Sequence, residues 1–243
     1  MGSSRSLNLA SMDSQPRRNN LNKKLVWSVC LVALALCALP AMADNTLYSN
    51  LGTGSSVYNC CTGWAVTGTG SIGTSFTTAN EFQVASSGNV SQIDVAVGFV
   101  SGFGNSFYVD VDASNGSQPG SVLASFTNLS SKTEFGTCCG LVSITGISGL
   151  TLNTGTNYWL VIGPMSSSSN TYDAFNWSNS ATGNEDYSTD GGQTWNQNGN
   201  QPQGAFDIIG GSSTGSTPEP SSLLLFGTGV VGAFAAFRRK LNL

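Results

Sequence analysis

The chain has 243 residues, no histidine, only 9% charged residues and a formal net charge of −4. Without histidine, Ser–His–Asp and Cys–His catalysis and histidine-based metal sites are excluded, which leaves general acid–base work to carboxylates. The charge is unevenly placed: between residues 44 and 217, Lys132 is the one cation against eleven carboxylates, a net −10, and such a segment does not neutralise phosphates or bind nucleic acid.

In chain order, residues 1–20 form a polar leader. Lys23-Lys24 then precede the 15-residue apolar run Leu25 to Leu39, followed by Pro40 and Ala41-Met42-Ala43. A charged start, a short apolar helix and an Ala-x-Ala ending read as a secretory signal peptide cut by signal peptidase after Ala43, with Ala41 and Ala43 as the recognised small residues. A retained span is disfavoured, because fifteen residues are short for a hydrocarbon core of ~30 Å. Residues 1–43 are therefore assigned as leader plus signal helix.

Residues 44–209 read as one all-β domain. The runs Ile93 to Val100, Phe107 to Asp112, Val122 to Phe126, Leu141 to Ile147 and Tyr158 to Ile162 alternate or are rich in β-branched and aromatic residues. Turn clusters separate them: Ser101 to Asn105, Asn115 to Gly120 and Asn153 to Thr156. No stretch shows a helical period. Short strands at this spacing predict a two-sheet β-sandwich of jelly-roll or immunoglobulin-like type. Alternation places Val109 and Val111 toward the core and Asp110 and Asp112 toward solvent.

Signal cleavage leaves four cysteines, Cys60-Cys61 and Cys138-Cys139, which in an exported chain read as disulfides. Two vicinal rings or cross-bridges between the pairs both satisfy the count. A cross-bridge closes a loop of nearly 80 residues and contributes ~4 kcal/mol. Asn59, Gly63, Gly136 and Gly140 supply the irregular backbone it needs, so cross-linking is favoured. A four-thiolate zinc site lacks the usual spacer between ligands.

Four patterns are candidate sites. Asp110-x-Asp112-x-Ser114-Asn115-Gly116 loosely echoes a calcium loop, although Asn115 and Ser121 stand where glycine and a carboxylate belong. Ser188 to Trp195 fits the Ser-x-Asp-x-Gly-x-Thr-Trp box, which reads as a structural hairpin turn. Trp159, Trp177, Trp195, Tyr172 and Tyr187 are either a sugar-stacking platform or ordinary core aromatics, with core favoured. Glu81, Glu134, Glu185 and Asp186 are the carboxylates from which a glycosidase pair would be drawn, without a spacing that selects one.

Residues 210–217 are a Gly/Ser/Thr spacer. Residues 218–243 close the chain with Pro218-Glu219-Pro220, the uncharged 17-residue run Ser221 to Phe237, and Arg238-Arg239-Lys240. A helix of that length spans ~25 Å, enough for a transmembrane helix. The basic cluster stays cytoplasmic, which leaves the body across the membrane. The prolines hold the preceding stretch extended and accessible.

This tail resembles the PEP-CTERM family of sorting signals in the order and spacing of its tripeptide, helix and basic end. The resemblance implies recognition by a membrane exosortase, cleavage near the tripeptide, and delivery of the body to the cell surface or exopolysaccharide matrix of a Gram-negative bacterium. The body resembles the choice-of-anchor type R domains, through Leu47 to Leu51, Gly63-Trp64, Asn115-Gly116…Pro119-Gly120, Asn157 to Val161 and Tyr187 to Gly192. The expectation is a non-enzymatic surface or matrix protein without cofactor or metal, a membrane-anchored precursor during transit. The alternatives are a carbohydrate-binding module and a carboxylate-based glycoside hydrolase.

Overall fold

A computed structural model describes residues 45–211. The expected signal and C-terminal helices, Ala41 and Ala43, Pro218 to Pro220 and Arg238 to Lys240 all lie outside the described residues. Among those described, no helix is long and apolar enough to cross a membrane.

The body is all-β, and one four-residue helix, α1 (Thr69–Ile72), interrupts it. Its strands are β1 (Asn45–Ser49), β2 (Gly63–Thr67), β3 (Thr77–Gln83), β4 (Gly88–Val95), β5 (Val97–Gly102), β6 (Phe107–Asn115) and β7 (Gln118–Leu129). Then follow β8 (Thr133–Glu134), β9 (Val142–Thr145), β10 (Thr151–Leu152), β11 (Asn157–Pro164), β12 (Thr171–Ser188), β13 (Asn196–Gly204) and β14 (Phe206–Gly210). A five-stranded sheet runs β1-β14-β4-β10 with β9 also on β4. A nine-stranded sheet runs β7-β6-β11-β3-β12-β5-β8, with β13 and β2 also on β12.

The two sheets share one apolar core. Leu47, Ile93, Val95, Ile144, Phe206 and Ile208 come from the first sheet, and Phe82, Phe107, Val109, Val111, Leu160, Ile162 and Phe175 from the second. Phe82 meets Phe206 edge-on at 5.5 Å between ring centroids, a favoured aromatic geometry. Two sheets that bury their facing sides against each other are consistent with the expected sandwich. Val109 and Val111 are both fully buried, as their alternation predicts.

The run Ile93 to Val100, expected as one strand, is two. The chain leaves the first sheet after Val95 and enters the second at Val97, turning at Ala96. It makes the reverse crossing at Ala205, between β13 and β14. The corners are neighbours: Ala96 N–H donates to Ala205 O at 3.0 Å, Ala205 N–H to Asn176 O at 2.8 Å, and Asn176 N–H to Ala96 O at 2.8 Å. Both alanines are fully buried, which explains the small side chain at each. Nothing in the β-rich run Ile93 to Val100 marks such a break.

β12 spans 18 residues. Its first part pairs with β2 and β5, its last part with β3 and β13. At the other hairpin, β6 and β7 meet over Gly116-Ser117, with Asn115 opposite Gln118. Gly116 has φ +69°, as the first central position of a type II′ turn demands. At the two ends of the described body, Asn45 pairs with Gly210, and Gly211 N–H donates to Asn89 O at 2.8 Å. Ladder bonding thus reaches into the first two residues of the expected spacer.

Candidate functional site

The outer face of the nine-stranded sheet carries the first candidate residues. Registers align Asp110 with Val161 and Asp112 with Trp159, Trp159 with Glu81 and Val161 with Ala79, and Asp186 with Ala79. Asp112, expected on the solvent face, is buried, and Asp110 is half-buried. Alternation along β6 does not reveal this burial; an apolar cluster lies on the same face. Ala79, Trp159 and Val161 form a small apolar cluster against which Tyr108 and Trp195 pack. Trp195 comes from the turn between β12 and β13.

That turn is the Ser188 to Trp195 box, and it is built as a hairpin. Asp190 Oδ1 accepts from Ser188 Oγ at 2.7 Å, Gln193 N at 3.0 Å and Thr194 N at 2.9 Å, and Oδ2 accepts from Thr194 Oγ1 at 2.6 Å. These bonds, chiefly those from Thr194, lower the Asp190 pKa to about 2. Gln118 Nε2 donates to Trp195 O at 3.1 Å, tying the hairpin to the β6–β7 turn.

Covered acids are costly to ionise. Burial, then the charge of Asp110, raises Asp112 to about 7, and burial raises Asp110 as well. Oδ1 of each has no hydrogen-bond partner. Burial, then Glu185 and Glu81, raises Asp186 to about 7. Asp173 is fully buried, accepts from Ser131 Oγ at 2.9 Å, and is raised to about 6 by burial. On the first sheet Asp207 lies opposite Asp94 and is raised to about 7, by burial first and then by Asp94. Asp110 and Asp112 sit inside the β6 ladder, and Ser114 lies at its mouth, with its Oγ donating to Gly116 O at 3.0 Å.

Of the four possible glycosidase carboxylates, Glu81, Glu185 and Asp186 are near enough for the first two to act on the third, and Glu134 stands apart on β8. Glu185 and Asp186 are consecutive on β12 and so face opposite sides. Glu81 accepts on Oε1 from Asn157 Nδ2 at 2.7 Å and on Oε2 from Asn184 Nδ2 at 2.6 Å. Glu134 is exposed on the two-residue β8.

Glu185 belongs to a pocket that sequence reasoning missed. A cavity of about 230 Å³ is lined by Trp64, Phe76, Thr78, Glu185, Tyr187 and Asn198, with Ala65. Glu185 is fully buried at this site. Its carboxylate accepts from Thr78 Oγ1 at 3.0 Å and Asn198 Nδ2 at 2.7 Å. Burial raises its pKa, and those two bonds pull it partly back. Trp64 is fixed by its Nε1 donating to Pro202 O at 2.8 Å and by a tilted contact with Trp177 at 5.2 Å. The candidate aromatics, for which the sequence favours core packing over a sugar-stacking platform, are divided. Trp159 is core, Trp195 is the cover over it, and only Tyr187 reaches this pocket. Trp64, in the Gly63-Trp64 dipeptide, was the available signal.

The cysteines meet on one side of the body. Cys60 is bonded to Cys138, a cross-bridge over a sequence separation of 78. Cys61 and Cys139 are free; Cys61 is exposed and Cys139 half-buried. Cys60 and Cys139, with Leu51, Val57 and Leu141, pack on a small cluster of Tyr58, Ala96 and Ala205. The Sγ atoms of Cys60, Cys138 and Cys139 all lie within 4.8 Å of one another, the one group of three or more potential metal ligands among the described residues.

A family model described as the PEP-CTERM protein-sorting motif matches residues 216–240. The chain carries a PEP-CTERM sorting motif. The motif implies export and a membrane-anchored precursor with exosortase as its processing partner. It covers the tripeptide, the apolar run and the basic end identified from sequence, and leaves the β body unassigned. No curated protein and no solved structure matches the chain.

Proposed function

We propose that this chain is a non-catalytic, exported protein of the cell surface or extracellular matrix of a Gram-negative bacterium. Signal peptidase removes residues 1–43, the C-terminal helix retains the precursor in the membrane, and exosortase releases the body near Pro220. The β-sandwich body, of the choice-of-anchor type R kind, then associates with exopolysaccharide. The observation that carries this reading is the sorting motif at residues 216–240. The opposite facing of Glu185 and Asp186 on β12, with Glu134 on the separate strand β8, supports a body without hydrolytic chemistry, because a glycosidase needs two carboxylates flanking one bond.

The test is mass spectrometry of the protein recovered from the cell surface of an exosortase-positive host. The expected C-terminus lies close to Pro220. Intact Arg238 to Leu243 on surface-located protein would refute the release step. Deletion of residues 218–243 is expected to abolish membrane retention.

A second reading, a carbohydrate-binding body, is favoured by the pocket of Trp64, Phe76 and Tyr187 with Glu185 and Asn198 at its polar end. Aromatic walls with a few fixed polar groups suit a sugar ring. Retention on the host's exopolysaccharide that is lost in Trp64→Ala supports this reading, and no retention by the wild-type body removes it.

A further inference from the structure

We propose that Cys60, Cys138 and Cys139 form a thiol–disulfide exchange site, in which Cys139 attacks Cys60 and takes the place of Cys138 in the bridge. The free Cys139 Sγ lies 3.9 Å from Cys60 Sγ, and Cys60 is already bonded to Cys138. A thiolate and a disulfide sulfur at that separation are poised for exchange, which needs no external oxidant or reductant. The Cys139 thiol first loses its proton to solvent. Its thiolate then forms the Cys139–Cys60 bond as the Cys60–Cys138 bond breaks. The electron pair leaves on Cys138, which takes up a proton. One disulfide and one thiol are present before and after.

Chain entropy does not choose between the two bridges. The existing one spans a separation of 78 and its alternative one of 79, so the closed loops are equivalent. What differs is where the free thiol stands. Cys139 is half-buried and packs on the cluster around Tyr58, whereas Cys138 is exposed. Exchange therefore moves a thiol from a sheltered position to the surface. Cys61, also exposed and free, adjoins Cys60. The surface thiol released on Cys138 is the group that a disulfide-bearing partner molecule would meet.

Export conditions keep one bridge closed but do not fix which. The exported protein, purified without reductant and incubated at alkaline pH, is quenched by acid, alkylated and mapped by fragmentation mass spectrometry. Both Cys60–Cys138 and Cys60–Cys139 are expected, in populations within about tenfold of each other because the loops are equivalent. Cys139→Ser is expected to show only Cys60–Cys138. Cys138→Ser is expected to close Cys60–Cys139 instead, with Cys61 alkylated throughout. A wild-type map that keeps a single pairing through the alkaline incubation overturns the proposal, as does a bridge that includes Cys61. So does a folded Cys138→Ser protein in which Cys60 and Cys139 are both alkylated. If Cys138→Ser does not fold, the wild-type time course decides.

Discussion

The two faces of the nine-stranded sheet are buried in different ways. The inner face meets the five-stranded sheet through the apolar side chains of Phe107, Val109, Val111 and Phe175, with the polar Thr78 and Asn80 buried in its ladders. The outer face mixes Trp159, Ala79 and Val161, against which Trp195 packs, with Asp110, Asp112, Asp186 and Glu81. Both remove side chains from water: the outer face desolvates Asp110, Asp112 and Asp186, and Glu185, on the other side of β12 from Asp186, is desolvated as well. The outer face gains apolar contact from its tryptophans and gives part of it back by holding carboxylates away from solvent without cations. Among the described residues the one Lys or Arg is Lys132, which is exposed.

The largest effect should come from the inner face. Phe107→Ala is expected to remove about 3–5 kcal/mol, the usual range for a fully buried aromatic, read as a fall in the urea midpoint with the slope unchanged. Such a loss is a large fraction of the stability of a domain this size. A loss under about 1 kcal/mol would mean that the shared core is not what holds the two sheets.

The second expected effect is a pH dependence carried by the buried acids. Asp112, Asp186 and Asp207 are raised to about 7 and Asp173 to about 6, from 3.8 in an unfolded chain. A raised folded pKa means that the neutral acid is favoured on folding. Its contribution is fully present below about pH 3.8 and is lost as pH rises through 6 to 7. Urea midpoints should therefore fall steadily from mildly acidic to mildly alkaline pH. A midpoint that rises over that range contradicts the burial of these groups.

Trp195→Ala tests the cover itself. Loss of a half-buried tryptophan should cost about 1–2 kcal/mol. It should also bring the Asp112 pKa, followed by carboxyl NMR, down toward the ordinary carboxylate value. An unchanged Asp112 titration would mean that the hairpin does not provide the burial. The smallest effect belongs to Asp112→Asn, which removes the ionisable group while keeping its shape. It should stabilise by on the order of 0.5–1 kcal/mol at alkaline pH, after discounting for solvent screening, and leave acid stability unchanged.

The alternating strands were legible in the sequence where alternation was apolar against polar, as at Val109 and Val111. The structural role of the Asp190 turn was legible because its hydrogen bonds are local. So was the sorting tail, whose parts are fixed by membrane thickness and charge. β3, β12 and β13 were not, although β3 and β12 lie inside the larger sheet. Thr78, Asn80, Glu185 and Asp186 are polar residues buried within its ladders, so hydrophobic patterning does not mark them. Asn80 earns its place through its Oδ1, which accepts from Gly204 N. The burial of Asp112 goes with the apolar cluster that neighbouring strands bring to its face, and the pocket of Trp64 and Glu185 with strands β2, β3, β12 and β13 meeting. Both are products of topology.

The pairing of Asn45 with Gly210 has a consequence for how the body is held. The chain enters and leaves the body through neighbouring residues of one antiparallel pair, so topologically the body is close to a closed ring of chain. Joining residues 45 and 210 by a short linker and opening the ring at Gly116-Ser117 would preserve the β1–β14 pairing and the core. The sequences beyond 45 and 210 then act as two handles attached at one seam, and cutting either one leaves the ring intact.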